Sequence, residues 1–248
     1  MDYSILNYHR HLLSWHTRHF YPFRRRLTSL EKDYLETCFR LAQSFAETSE
    51  DGYEHFSYYT YSHRVDGDQV NSSRMAYGSV THPEEAFAAA APVLAERGIA
   101  VPDEYGPDFR FYGLGWDLQE GQFKLYLRAR DLTLLPPHLK ELVAGYDLSA
   151  HRAEGLISYT YEGSQLAEKK VYLYPLDDKP EVAGVLGQAR MVTSKRGEVP
   201  QYDLEEGADW SSKLNAAGQT ILRKYRQLGE PLDTIAYQDP DHFTLYFP

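Results

Sequence analysis

Four pairs of alternating segments, each closed by a tight polar turn, constrain this chain more than any other feature. Phe56–Val65 and Gln69–Val80 flank Asp66-Gly67-Asp68, and Phe109–Leu118 and Gln122–Arg130 flank Gln119-Glu120-Gly121. Leu156–Tyr161 and Lys169–Pro175 flank a turn holding Glu162-Gly163-Ser164. Leu232–Tyr237 and His242–Phe247 flank Asp239-Pro240-Asp241. Period-2 runs joined by such turns read as β-hairpins. Consecutive hairpins place their strands antiparallel in one sheet. Glu181–Leu204 reads either as one more short pair or as a long loop.

Helical signals lie between the hairpins. Thr28 with Glu31 is a capping box, and Leu30–Ala46 carries apolar residues at helical spacing, among them Tyr34, Leu35, Cys38 and Phe45. Thr81 with Glu84, and Pro83 in the first turn, opens a second helix that ends near Arg97 and Gly98. Pro136–Ala144 is a short third helix before Gly145, and Asp209–Leu228 a fourth before Gly229. The order is helix then hairpin, repeated, which is an internal repeat at the level of structure. The helices are expected on one face of the sheet. No Pro/Gly/Ser-rich linker divides the chain, so 1–248 reads as a single domain. Within it, 1–27 is a basic N-terminal segment and 28–248 the repeated helix–hairpin unit.

The alternation separates two faces. Phe123, Leu125 and Leu127 share one face, and Lys124, Tyr126 and Arg128 the other. Val171 and Leu173 oppose Lys170, Tyr172 and Tyr174; Phe243, Leu245 and Phe247 oppose His242, Thr244 and Tyr246. The apolar face is where helices pack. The other face repeats Lys-x-Tyr, Lys-x-Tyr, Thr-x-Tyr. It is either a plain solvated sheet face or the lining of a barrel whose sheet has curled shut, which also removes exposed edges. A lining with several cations and almost no acid is expected to hold something anionic, since unpaired buried cations are costly.

Composition excludes other classes. With 26 Lys+Arg against 36 Asp+Glu, the net charge is −10, which argues against a nucleic-acid partner. The single cysteine, Cys38, permits neither an intrachain disulfide nor a thiolate cluster. The Ala-rich run 86–95 is too short for a membrane span, and the N-terminal MDYSILNYHRH is not a signal-peptide pattern; the expectation is a cytoplasmic protein. His9, His11, His16 and His19 gather among arginines, but their spacing matches no ligand motif, so no metal site is assigned. Nucleotide-loop, zinc-protease and serine-hydrolase motifs are not present. The 21 tyrosines are an excess that needs a structural account.

Antiparallel hairpins alternating with helices, with Lys124-x-Tyr126, Lys170-x-Tyr172 and Thr244-x-Tyr246 in phase, resemble the ABBA aromatic prenyltransferases. The stretch Gly113-Leu114-Gly115-Trp116-Asp117 followed by Lys124-Leu125-Tyr126 is similar to that family's indole and cyclic-peptide branches, and Tyr159-Thr160-Tyr161 with Lys170–Tyr174 looks like the next unit. The resemblance covers about residues 50–248. It implies an α+β fold, a ten-stranded antiparallel β-barrel with helices outside. It also implies transfer of an isoprenyl group from an allylic diphosphate to an aromatic small molecule or cyclic peptide. Arg64, Arg74, Lys124, Arg128 and Lys170 would then bind diphosphate. Tyr126, Tyr172, Tyr174 and Tyr246 would shield the allyl cation, and Glu54 would act as base. The chain departs from the family in showing eight strands and in being short. Either Glu181–Leu204 supplies the missing pair, or the barrel is shortened and open on one side. No cofactor is fixed: Asp-rich Mg2+ motifs are not found, and Mg2+ stays open as a counter-ion to the diphosphate. The alternative is a non-catalytic barrel that binds an anionic amphiphile.

Overall fold

The computed structural model describes residues 59–77, 83–176 and 184–247, with residues 28–30, 32–34, 36 and 37 of the N-terminal part. Ten strands form a closed antiparallel barrel: β1 (Tyr59–Asp66), β2 (Gln69–Tyr77), β3 (Phe109–Asp117), β4 (Phe123–Ala129), β5 (Gly155–Glu162), β6 (Gln165–Leu173), β7 (Val185–Thr193), β8 (Gly197–Leu204), β9 (Thr234–Asp239) and β10 (His242–Phe247). Each strand pairs with its neighbours in sequence. The ring closes where β1 meets β10, from Tyr61↔Phe247 to Asp66↔His242. The open-sided alternative is therefore corrected. The missing pair is β7–β8, inside the ambiguous segment.

This meander puts all five hairpin turns at one end of the barrel and the longer connections at the other. Three labelled helices lie in those connections: α1 (Pro83–Glu96), α2 (Pro137–Lys140) and α3 (Ala216–Leu228). Residues 29–30, 32–34, 36 and 37 are helical as well. Two helices differ from their sequence expectation. The third is only one turn long. The fourth starts at Ala216, not near Asp209, because Asn215 takes over as its cap: its side chain accepts the Gly218 N–H. Asp209 instead accepts the Ser211 N–H ahead of a separate 3₁₀ turn.

The main core lies between the outer face of the sheet and these helices. Phe111, Leu114, Leu125, Leu127, Val171 and Leu245 are buried there. Burying each such side chain contributes roughly 1.5–3 kcal/mol. On α1, Phe87 stacks on Tyr105 and meets Phe111 of β3. Asp33 accepts a hydrogen bond from Trp116 Nε1 at 2.9 Å and pairs with Arg97, tying the N-terminal helical residues to β3 and α1. On α3, Tyr225 stacks on Phe247 with centroids 3.7 Å apart. Gly218 lets the start of the same helix lie close against Phe243 of β10: a Cβ there would lie 2.5 Å from Cζ of that ring. Among the described residues, no helix is long and apolar enough to cross a membrane.

Candidate ligand site in the barrel lumen

The period-2 rule carries a second set of side chains to the inside. Lys124 pairs across to Thr160, and Thr160 to Glu168; Tyr126 pairs to Ser158, and Ser158 to Lys170. Cross-strand partners share a face, so β4, β5 and β6 present Lys124, Thr160 and Glu168 in one row. Tyr126, Ser158 and Lys170 form the next. A cavity of about 210 Å³ follows these rows, opening at the end with the hairpin turns.

The cavity changes character with depth. Arg64, Glu120, Lys195, Arg196 and His242 surround its mouth. Lys124, Lys170, Asp117 and Glu168 lie deeper. Met75, Tyr126, Tyr172, Met191, Val199 and Ala236 form an apolar inner cluster, with Tyr174 and Tyr246 packed against it. Burial raises the Tyr246 phenol to about 12 and pushes Tyr174 upward as well. These hydroxyls stay neutral near pH 7.

The expectation of a lumen almost without acids is corrected. β6 starts at Gln165, so Glu168 falls in phase with Lys170, and their side chains pair at 3.2 Å. Asp117 is buried at the end of β3, where its Oδ1 accepts the N–H groups of Gln119 and Glu120. At the mouth Arg64 pairs with Asp66 at 2.9 Å and with Glu120 at 2.7 Å. Arg196, from the β7–β8 turn, reaches Asp66 at 3.3 Å.

Lys124 is the exception. Its side chain makes no ion pair or hydrogen bond among the described residues, although it lies in the cavity wall. Burial lowers its ammonium to about 8, and the nearby charge of Lys170 acts in the same direction. Asp117 and Glu168 oppose that shift, and Arg64 adds to it. Burial also lowers Lys170, while Glu168 holds it up. Between the two lysines, Ser158 Oγ and Thr160 Oγ1 are buried with no hydrogen-bond partner among the described residues. Gly115 on β3 gives Lys124 its space: a Cβ there would stand 3.3 Å from both Lys124 Cβ and Tyr126 Cε2.

The other expected site residues fall elsewhere. Arg74 pairs across β2 to Tyr61 and Trp116, both in the outer core, and its guanidinium covers the Tyr61 ring. Alternation sets its side chain on the face opposite Lys124, although the residue also borders the cavity. Arg128 faces inward but lies four residues along β4 from Lys124, about 14 Å away, where it pairs with Glu154. Glu54 and the basic segment 1–27 lie outside the described residues. Tyr159 and Tyr161 face outward; the Tyr159 hydroxyl donates to Glu104.

Sequence reading passed over Glu168, Ser158, Thr160 and Gly115. Three of the four had a readable signal: Ser158 and Thr160 alternate with Ile157, Tyr159 and Tyr161, and Glu168 is in phase with Lys170. Among the described residues, no group of three His, Cys, Asp or Glu side chains could hold a metal ion. No protein-family model matches the chain, and no curated protein matches it.

Proposed function

We propose that the lumen binds an allylic isoprenyl diphosphate and transfers its isoprenyl group to an electron-rich aromatic or peptide acceptor. The observation carrying this reading is Lys124, which has no partner among the described residues, set beside two hydroxyls likewise unpartnered there and above an aromatic, Met-lined floor. An anionic head would sit at Lys124, Lys170, Ser158 and Thr160, with the apolar tail toward Tyr126, Tyr172 and Tyr246. When the carbon–oxygen bond breaks, its electron pair goes to the diphosphate oxygen, where the lysines stabilise the developing charge. The tyrosine rings face the cation, each contributing roughly 0.5–2 kcal/mol, and keep water away so that the acceptor attacks first. A cavity of about 210 Å³ is smaller than the ~300–1,000 Å³ of a drug-sized pocket. It suits a short donor, with the acceptor held at the mouth. On this reading one helix–hairpin unit repeats around the barrel, the enzyme is cytoplasmic, and nucleic acid is not a partner.

A second reading is a barrel that binds an anionic amphiphile without turning it over. It is favoured by the state of the inner carboxylates: Asp117 caps a turn and Glu168 holds Lys170, so neither stands ready as a base. Incubation with dimethylallyl and geranyl diphosphates and a panel of indoles, phenols and cyclic peptides, read by mass spectrometry, separates the two. Transfer gives a gain of one isoprenyl unit on an acceptor. It also requires Tyr172→Ala to raise the share of isoprenyl alcohol while Tyr172→Phe keeps most transfer. Donor binding with no mass gain on any acceptor selects the binding barrel.

A further inference from the structure

We propose that Lys124 is a reactive amine that forms an imine with small aldehydes carrying an anionic group, the anion being held at Lys170 and the buried hydroxyls beside it. This does not rest on isoprenyl transfer; it rests on the placement of Lys124. Its side chain lies in the cavity wall without a carboxylate partner among the described residues, and the second lysine nearby already has one in Glu168. An amine that is desolvated, and set beside another cation, is the standard environment of imine-forming lysines.

The groups around it act in known directions. Lys170 from β6 and Arg64 from β1 favour the neutral amine, whereas Asp117 from β3 and Glu168 from β6 favour the ammonium. Tyr126 lies one pleat along β4, and β5 contributes only the uncharged Thr160 and Ser158. With burial added, the balance leaves Lys124 at about 8. A solvent-exposed lysine titrates near 10.4, so well below both values Lys124 carries on the order of a hundred times more free amine.

The step balances without an oxidant or a cofactor. The Nζ lone pair forms a bond to the aldehyde carbon while the C=O π pair moves to oxygen. A nitrogen proton then passes to that oxygen, giving a carbinolamine. Loss of the hydroxyl as water, with a second nitrogen proton, leaves the C=N bond. Lys170 is the nearest ammonium to the anionic substituent and fixes the aldehyde's orientation.

The test uses the intact chain, pyridoxal 5′-phosphate as probe, borohydride to trap the imine, and peptide mapping to locate it. Lys124 is expected to be the main labelled residue, reacting at least about tenfold faster than the exposed Lys140, Lys195 and Lys213. The trapped yield should climb through pH 8. Pyridoxal without the phosphate should label Lys124 at least about tenfold more slowly, because it forfeits the charge-assisted contact. Lys124→Met, with its fold checked by circular dichroism, should lose the main label. Label spread over the surface lysines in proportion to exposure overturns the proposal, as do equal rates with and without the phosphate. Transfer activity with no label at Lys124 would defeat this inference alone; label at Lys124 without transfer would leave it standing.

Discussion

The two faces of the barrel are made from the same strands and are both rich in aromatic side chains, yet they are organised by different rules. Outside, the buried polar groups around His63 are paired. His63 Nε2 contacts the Tyr225 hydroxyl at 2.9 Å and its Nδ1 the Ser72 hydroxyl at 3.0 Å, while the Tyr225 ring stacks on Phe247. Inside, the same alternation leaves Lys124 and the Ser158 and Thr160 hydroxyls without partners among the described residues. Packing density and satisfied hydrogen bonds stabilise the outer face. The inner face gives up some of that stability, which is what a binding surface is expected to do. Among the described residues the tyrosines divide in the same way: Tyr61, Tyr159 and Tyr225 belong to the outer core, and Tyr126, Tyr172 and Tyr246 line the cavity.

The largest break in this comparison should come from outside. Phe247 is fully buried on the closing strand and stacks on Tyr225. Phe247→Ala removes that ring at the seam between β1 and β10, and should cost about 3–5 kcal/mol. Chemical denaturation followed by circular dichroism measures it. A loss under ~1 kcal/mol would mean that the helix-covered face is not what holds the barrel shut.

The inner face should answer with the opposite sign. Lys124 is lowered from 10.5 to about 8 in the folded protein, so between those values the unfolded chain binds more protons than the native one. Stability therefore rises with pH across that window. Below about pH 8 the full cost of burying the charge is present; it is relieved as pH rises toward 10. Lys124→Met removes this contribution. Relative to wild type it should be stabilised by on the order of 2 kcal/mol at pH 7, with the gap closing by pH 10. Thermal melts of both proteins at the two pH values measure this, and a gap independent of pH would place Lys124 in contact with water.

Much of this barrel could be read in advance because hairpins are local. Asp66-Gly67-Asp68 and Asp239-Pro240-Asp241 mark their turns with no help from the rest of the fold, and the in-phase Lys124, Lys170 and Tyr246 set the inner face. Closure could not be read in this way. The β1–β10 seam joins residues more than 170 positions apart, and nothing in either strand alone names its partner. Charge pairing failed for a related reason. Whether Lys170 is balanced depends on where β6 begins, and strand boundaries are the weakest part of a pattern reading. Arg74 borders the same cavity, yet alternation sets its side chain with Tyr61 and Trp116, while its neighbours Ser73 and Met75 share the face of Lys124. One step along a strand moves a side chain through the sheet.

The smallest predicted change in stability is also the sharpest test of the contrast, because it adds one methyl group to each face. Gly218 and Gly115 both make room for a ring, and the difference lies in what a Cβ would strike. At Gly218 it meets Phe243 at 2.5 Å inside the helix–sheet packing, where nothing can yield cheaply. At Gly115 it meets the Lys124 stem and the Tyr126 edge at 3.3 Å, and both border open space. Gly115→Ala should thus leave stability within about 1 kcal/mol of wild type, since alanine recovers roughly the 0.5–1 kcal/mol that glycine forfeits in a strand. Accommodating the methyl shifts Lys124 and Tyr126 by a few tenths of an ångström away from β3, into the space an anionic head would occupy. Affinity for inorganic diphosphate, measured by titration calorimetry, should fall about tenfold, or ~1.4 kcal/mol. Unchanged affinity together with unchanged stability would show that the wall around Lys124 has no fixed shape, and that the inner face is a solvated surface closed into a ring.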